Sequence, residues 1–207
     1  MRAIEFIPTF AQPISTFDVE LGEEFNKGLI EIIKDLMLNT EQNYAGSTMG
    51  GWRNKGNFFC IEHPIIKQLE NVCASAAIYY LEQCQAEINI KEHVVGMIGW
   101  ANWNKKGDYN TPHNHIGADV SGCYYIQQPD NEKYESGAIE FLDIRNIIPL
   151  QERLGGPIYS KSVRKKPKTG ELLVFPSSLT HWVHPNQSDQ DRIVVAWNAT
   201  LYKEEDQ

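Results

Sequence analysis

The sequence lacks any apolar run near the roughly 18–20 residues that a bilayer-spanning helix requires. Its first residues, Met1-Arg2-Ala3-Ile4-Glu5, also lack the charged-then-apolar pattern of a secretion signal. We therefore expect a soluble, cytoplasmic protein with no membrane partner.

Cysteine is scarce, and its spacing excludes the common paired motifs. The four residues, Cys60, Cys73, Cys84 and Cys123, form no Cys-x-x-Cys pair. Cys73 and Cys84 fall in one predicted helix, roughly 16 Å apart by helical rise, which exceeds the reach of a disulfide. We expect all four to be reduced, small apolar residues of a cytosolic protein.

Positive charge is in deficit, since 19 Lys and Arg against 27 Asp and Glu give a net charge of −8. Non-specific nucleic-acid binding needs a basic surface, so nucleic acid is not an expected partner. Residues 161–168 run against this average, with five basic side chains in eight positions. They predict either a solvated hairpin or loop, or a basic rim that attracts an anionic substrate.

The N-terminal part of the chain has helical periodicity. Apolar residues over 21–38 recur on one helical face, and a second amphipathic helix begins at Pro64 and runs to about Ala86. Residues 4–7 suggest an edge strand, and the glycine-rich residues 39–60 are predicted as loop. The wide apolar face of the second helix favours packing on a sheet.

After Ile88 the periodicity changes to short strand-like runs separated by turn residues. These runs are His93–Trp103, Asp119–Gln128, Gly137–Asp143, Ile158–Val163, Glu171–Phe175, Thr180–His184 and Arg192–Tyr202. They predict a mainly β protein with flanking α structure: a double-stranded β-helix, or jelly roll, braced by two N-terminal helices. We expect a single domain over 1–207, with a helical support segment at 1–90 and a jelly-roll catalytic core at 91–202.

Two histidines stand two residues apart in Thr111-Pro112-His113-Asn114-His115. Pro112 biases Thr111 toward an extended backbone, and alternate residues of a strand share a face, so both imidazoles are predicted to point the same way. His181, 66 residues after His115, would complete a three-imidazole metal site. Imidazole suits iron, zinc, copper and nickel alike. The alternative is a pair of solvated loop histidines.

The order of motifs around these histidines carries a resemblance. The motifs are Trp-Ala-Asn-Trp (100–103), His-Asn-His (113–115), Cys-Tyr-Tyr-Ile (123–126), Gly-Ala-Ile-Glu-Phe (137–141), Gly-Glu-Leu-Leu-Val-Phe (170–175), His-Trp-Val-His-Pro (181–185) and the strand from Arg192. This order resembles the iron(II)/2-oxoglutarate-dependent oxygenases, particularly their prolyl-hydroxylase-like branch, over about residues 94–200. The resemblance implies a jelly-roll enzyme with the cofactors Fe(II) and 2-oxoglutarate, and dioxygen as a reactant.

The resemblance implies a metal site with one departure from the family pattern. His113 matches the family's first ligand and His181 its distal ligand. His184 is a rival that, three residues on, faces away from His181 in a strand. The family has Asp or Glu where this chain has His115. Three outcomes follow: His115 replaces the carboxylate, Asp119 supplies it instead, or His115 does not bind the metal. The first is favoured because His115 is in register.

The resemblance also implies a cosubstrate site. Arg192 matches the residue that binds the distal carboxylate of 2-oxoglutarate, and a guanidinium can fork onto a carboxylate with two hydrogen bonds. A surface ion pair with a nearby aspartate is the alternative for Arg192. Tyr125 would give its hydroxyl to the same carboxylate, unless it is a core aromatic residue. Asn102 or Trp103 would donate from the strand before His113. No catalytic residue beyond the metal ligands is implied.

The implied reaction is hydroxylation of an unactivated C–H bond in a protein side chain, with prolyl-type hydroxylation the nearest analogy, or in a small molecule. The alternatives are a three-His cupin-like dioxygenase that does not use 2-oxoglutarate, and a non-catalytic β-sandwich binding module. An apolar lining is expected from among Trp100, Trp182 and Trp197, although strand alternation prevents all three from facing inward. The substrate and the oligomeric state stay open.

Overall fold

A computed structural model of the chain describes residues 11–39, 46–84, 86–87, 89, 92–130, 135–145, 153–154 and 159–203. The two long helices are α1 (Glu23–Asn39) and α2 (Pro64–Gln83). The strands are β1 (Ser15–Asp18), β2 (Thr48–Met49), β3 (Trp52–Arg53), β4 (His93–Asn104), β5 (Tyr109–His113), β6 (Val120–Gln127), β7 (Ile139–Leu142), β8 (Ser162–Lys165), β9 (Glu171–Pro176), β10 (His181–Val183) and β11 (Arg192–Lys203). No helix within these ranges has the length and apolar character to cross a membrane.

The strands form two antiparallel sheets. The six-stranded sheet has the order β1-β9-β6-β11-β4-β3, and the five-stranded sheet has the order β2-β5-β10-β7-β8. Sequence neighbours are mostly separated within a sheet, because the chain crosses from one sheet to the other, as a jelly roll requires. The predicted double-stranded β-helix with two N-terminal helices is therefore confirmed.

The predicted helices agree closely with α1 and α2. In α2 the His63 ring accepts a hydrogen bond from the backbone N–H of Ile65, and Pro64 occupies the first turn, so the helix start has the expected cap. Helix α2 ends at Gln83, three residues before the predicted end. The suggested edge strand at residues 4–7 lies outside the described residues.

The glycine-rich stretch predicted as loop contains more structure than expected. Its described part holds β2, β3 and a short 3-10 helix, Phe58–Cys60. Strands as short as two residues leave no periodicity that a sequence pattern can detect. All seven strand-like runs predicted after Ile88 overlap strands, although Ile158–Val163 shares only Ser162 and Val163 with β8, and β5 adds a strand at the first histidine.

The six-stranded sheet has two different faces, because alternate residues of each strand point to opposite sides. On β11, Ile193, Val195 and Trp197 belong to the core between this sheet and the helices. Val194, with Tyr125 of β6, belongs to a second core between the two sheets. The candidate site lies in this second core. Only every second residue of a strand points toward it, so the position of a residue along its strand decides whether its side chain can reach the site.

Candidate active site

Three imidazoles meet between the sheets. His113 is the last residue of β5, and His181 is the first residue of β10. The two strands pair with His113 directly opposite His181. One ring nitrogen from each of His113, His115 and His181 lies within 4.8 Å of the others, a spacing that could hold a metal ion. The structure therefore brings together the three histidines that the sequence predicted as ligands.

Backbone carbonyls orient two of these rings. The Nδ1 atom of His113 lies 2.7 Å from the Thr111 carbonyl oxygen, and that of His181 lies 2.8 Å from the Leu179 carbonyl oxygen. A carbonyl only accepts, so each Nδ1 carries the proton and each Nε2 keeps a free lone pair. This is the outer-shell arrangement that fixes the tautomer of a metal-binding histidine. The Ser47 hydroxyl lies 3.2 Å from the His113 Nε2.

His115 reaches the same point from a loop. β5 ends at His113, so strand alternation does not place His115 as the sequence argument assumed. Instead, its backbone N–H donates to the Ser177 carbonyl at 2.8 Å, which ties the loop to the turn before β10. Its ring centroid lies 5.0 Å from that of His113 and 5.2 Å from that of His181. The prediction of a shared direction is right, although its cause is a tertiary contact.

Burial keeps the three rings neutral. Desolvation lowers the pKa of His181 to about 3 and that of His115 to about 4, and repulsion from His113 in its protonated form lowers both pKa values further. The pKa of His113 is also lowered by burial, and the bond to Thr111 opposes this. Neutral imidazoles are the form that binds metal, so the site is ready for a cation at neutral pH.

These pKa values predict how the metal-free protein responds to acid. A histidine in the unfolded chain has a pKa of about 6.5. Below that pH, His181 and His115 are protonated in the unfolded chain but stay neutral in the folded protein. The free energy of unfolding therefore falls as pH drops below about 6.5, by about 2 kcal/mol at pH 5 for His181. Urea unfolding of metal-free wild type and His181→Asn at pH 7 and pH 5 measures this. The loss on acidification should be smaller in His181→Asn. An equal loss in both proteins would contradict the assignment.

The two alternative metal ligands, Asp119 and His184, make contacts away from the three histidines. The Asp119 carboxylate accepts a hydrogen bond from the Leu201 backbone N–H at 2.8 Å, and Asp119 is not part of the histidine group. The His184 Nε2 lies 2.6 Å from a Glu140 carboxylate oxygen, and its ring stacks on Trp182 with centroids 3.9 Å apart. The geometry supports His115 over Asp119, and His181 over His184.

A cavity of about 520 Å³ opens beside the histidines. The described residues that line it come from both sheets and from the segment before β2, and none of them is an aspartate or a glutamate. Its charged side chains are two arginines, Arg53 and Arg192. In a protein of net charge −8, a cavity with cations and without carboxylates is suited to anionic ligands.

Arg192 is a buried cation, only 2% exposed, with no ion pair in the described part of the chain. The aspartates that might have neutralised it are engaged elsewhere. Asp189 pairs with Lys106, and the carboxylate of Asp191 accepts from the Trp103 indole at 2.7 Å. Burying a charge without a partner is costly, so the surroundings of Arg192 are suited to an anionic ligand.

Other polar groups near Arg192 also lack partners. Buried side-chain atoms with no hydrogen-bond partner among the described residues include Arg192 Nε, Tyr125 Oη, Asn102 Oδ1, and both polar atoms of Asn104 and Gln128. The Arg192 guanidinium lies 5.2 Å from the centre of the Tyr125 ring. Burial raises the pKa of Tyr125, so its hydroxyl keeps a proton to donate. The donors among these atoms, Arg192 Nε, Tyr125 Oη, Asn104 Nδ2 and Gln128 Nε2, fit a carboxylate that accepts several hydrogen bonds.

Trp103, one of the two residues predicted to donate to the cosubstrate, is not among the residues that line the cavity. It belongs to the core beneath the helices, on the opposite face of β4 from Asn102. Trp197 lies in that same core, and Trp182 stacks outside the cavity on His184. Of the three tryptophans expected to line the site, Trp100 does so, with its ring centroid 5.5 Å from that of His115.

Arg53 is a cavity residue that the sequence argument missed. It lies on β3, in the glycine-rich stretch, and its guanidinium carbon sits 4.5 Å from the centre of the Trp100 ring. The buried amides of Gln128 and Asn104, which do not line the cavity, were also not predicted. The only available signal for Arg53 was a basic residue next to tryptophan between glycines, which does not distinguish a site from a surface loop.

Comparison with known proteins agrees with this geometry. Residues 99–198 match the family model described as "Putative 2OG-Fe(II) oxygenase". No curated protein matches the sequence.

Solved structures share the fold. A prolyl-4-hydroxylase from Pseudomonas putida is 12% identical, with a TM-score of 0.65 over 91% of this chain and 92% of that chain. A prolyl hydroxylase from Trichoplax adhaerens, in complex with a hypoxia inducible factor peptide fragment, is 14% identical, with a TM-score of 0.61 over 93% and 84%. HygX from Streptomyces hygroscopicus, with nickel and 2-oxoglutarate bound, is 12% identical, with a TM-score of 0.59 over 91% and 83%.

The family match covers the strands that carry Arg192, His113 and His181. The match to the model of the iron(II)/2-oxoglutarate-dependent oxygenases agrees with the resemblance that the order of the motifs carries. The match indicates an enzyme of this class, with iron(II) and 2-oxoglutarate as cofactors, and the three histidines could hold the metal.

Proposed function

We propose that His113, His115 and His181 bind iron(II), and that Arg192 binds the distal carboxylate of 2-oxoglutarate. The observation that carries this assignment is a buried, unpaired guanidinium in the same cavity as three converging imidazoles. A protein that did not bind an anion there would leave a buried charge uncompensated.

Each side chain has a defined task in this proposal. The carbonyls of Thr111 and Leu179 hold two imidazoles with Nε2 toward the metal. Arg192 can offer two parallel N–H groups to a carboxylate, and the Tyr125 hydroxyl can donate a further bond. Iron(II) and 2-oxoglutarate together supply dioxygen activation, coupled to decarboxylation of 2-oxoglutarate to succinate and to oxidation of a substrate C–H bond.

The second core, between the two sheets, limits water access to the part of the cavity around Arg192. We call this part the cosubstrate end. The buried apolar side chains of the second core include Ile139, Phe175, Val183 and Val194, which also line the cavity. Excluding water strengthens the hydrogen bonds around Arg192, because the local dielectric constant is lower. Oxidising chemistry in such a lining is directed to the bound substrate rather than to solvent.

We propose that the substrate is a protein side chain or a small molecule that is hydroxylated at an unactivated C–H bond. Support for the peptide class comes from the fold shared with the Trichoplax adhaerens enzyme in complex with a peptide. Support for the small-molecule class comes from HygX, which was solved with hygromycin B bound. A fold hosts many substrates, so the choice between them depends on the residues at the mouth of the cavity.

The test is cosubstrate turnover by purified protein without added substrate. Aerobic incubation with iron(II) and 2-oxoglutarate should give slow, oxygen-dependent succinate formation, and removal of iron or oxygen should abolish it. The matched control is His184→Ala, which leaves the proposed ligands intact and should retain turnover. A three-His dioxygenase that does not use 2-oxoglutarate would bind iron but form no succinate.

A further inference from the structure

Arg53 is a second cation in the cavity, and the cosubstrate assignment leaves it without a partner. We propose that Arg53 binds an anionic oxygen group, carboxylate or phosphate, of the substrate that is oxidised. This inference rests on the proposed function and narrows the substrate to an anionic molecule or segment.

The position of Arg53 separates it from the cosubstrate end. Arg53 pairs with Asn102 of β4, whereas Arg192 pairs with Asn104 on the other side of that strand. The two arginines are therefore two strands apart, roughly 10 Å, and offset by two residues, roughly 7 Å. The Arg53 guanidinium covers the Trp100 ring, and that ring contacts His115. Arg53 thus lies on the metal side of the cavity.

The surroundings of Arg53 hold it in place without neutralising it. Stacking on Trp100 at 4.5 Å fixes the guanidinium plane. A Cβ atom at Gly46 would lie 2.8 Å from one guanidinium nitrogen, so the backbone approaches closely there. Within the described ranges Arg53 makes no ion pair, and its buried Nε has no hydrogen-bond partner. Burial lowers its pKa, as expected for a cation lacking a counter-charge.

The net charge of the cavity with iron(II) and 2-oxoglutarate bound also favours an anionic substrate. Neutral imidazoles leave both charges of iron(II) uncompensated, and the two arginines add one each. 2-Oxoglutarate brings two negative charges, so the cavity keeps a surplus of two positive charges before substrate enters. The family's usual carboxylate ligand would have removed one of them. Because none of the lining residues in the described part of the chain is acidic, an anionic substrate is a group that can reduce this surplus.

The experiment uses the full chain, loaded with zinc(II) and saturated with 2-oxoglutarate, so that the cosubstrate end is filled. Acetate and inorganic phosphate are the probes, and neutral acetamide is the control. The indole N–H signal of Trp100, assigned with Trp100→Phe, reports binding in a proton–nitrogen correlation spectrum. We expect acetate or phosphate, and not acetamide, to shift this signal saturably.

Variants decide whether Arg53 is responsible. Arg53→Gln should weaken the anion response at least about 10-fold, since a hydrogen bond to a charged group is lost. Arg53→Lys should retain part of it, and Arg164→Gln, an arginine outside the cavity, should behave as wild type. The proposal is overturned if the response persists in Arg53→Gln, or if wild type gives none.

The 2-oxoglutarate affinity of the same variants separates this inference from the proposed function. Arg53→Gln should change that affinity less than about 3-fold, which is under 1 kcal/mol. If it weakens 2-oxoglutarate as strongly as Arg192→Gln does, Arg53 belongs to the cosubstrate site and the inference is wrong. If wild type does not bind 2-oxoglutarate at all, the proposed function itself has failed.

Discussion

Replacing Arg192 with glutamine is expected to raise the dissociation constant of 2-oxoglutarate about 100-fold or more. Truncating one partner of a buried, hydrogen-bonded charge pair typically costs at least about 2–5 kcal/mol. Arg192 is 2% exposed and has no protein counter-charge in the described ranges, so the full loss of its charge falls on the bound carboxylate. Arg192→Lys keeps the charge but loses the two-pronged geometry, and should lie between wild type and Arg192→Gln.

Calorimetric titration of 2-oxoglutarate into zinc-loaded protein measures this effect. Arg164→Gln is the matched control, because Arg164 lies on β8 outside the cavity and pairs with Glu135 and Glu140. Circular dichroism of each variant confirms folding. If Arg192→Gln bound 2-oxoglutarate within about 3-fold of wild type, the carboxylate would have to be held elsewhere, with Arg53 the next candidate.

Replacing His181 with alanine is expected to abolish stoichiometric iron binding, whereas His184→Ala should leave it intact. Loss of an outer-shell partner already costs about 10–100-fold in metal affinity, so loss of a ligand should exceed about 100-fold. The two histidines are three residues apart, yet only His181 faces the other imidazoles. His184 instead contacts Glu140.

Anaerobic iron(II) titration with a competing chromophoric chelator measures these affinities. His115→Ala in the same series tests the departure from the family pattern, and should weaken iron as a ligand variant does. His115→Asp restores a carboxylate and should bind iron at least as tightly as wild type. An iron affinity of His115→Ala equal to that of wild type would show that His115 is not a ligand.

The sequence predicted the elements of this fold well because their patterns are long and local. Helices α1 and α2 each span four or more turns with an apolar stripe, and β4 and β11 are 12 residues each. The short strands β2 and β3 escaped prediction since two residues carry no period. They exist because their partners in β5 and β4 offer free edges, a property of the sheet rather than of the segment.

The prediction of the site succeeded where order along the chain was sufficient. His113, His181 and Arg192 come from motifs with a fixed sequence order. Choosing between Asn102 and Trp103 needed the register of β4 against β11, which pairs Asn102 with Val194 on the cavity side. Cross-strand register depends on both strands at once, so the sequence of one strand does not reveal it.

Tertiary contacts place His115 and Arg53 at the site. His115 lies beyond its strand and is positioned by a hydrogen bond to Ser177, which no spacing rule predicts. Arg53 reaches the cavity only because β3 joins the edge of the six-stranded sheet. Both residues make the site more positive than the family pattern. The position of each at the site depends on tertiary contacts and not on a sequence motif.

The most direct test of the account is an anaerobic titration of iron(II) into wild-type protein with and without 2-oxoglutarate. The account predicts a weak visible charge-transfer band that forms only when both are present, and that Arg192→Gln lacks at cosubstrate concentrations saturating for wild type. Iron binding without any band, at any concentration of 2-oxoglutarate, would contradict the proposed cosubstrate site. Absence of iron binding by wild type would contradict the three-histidine metal centre itself.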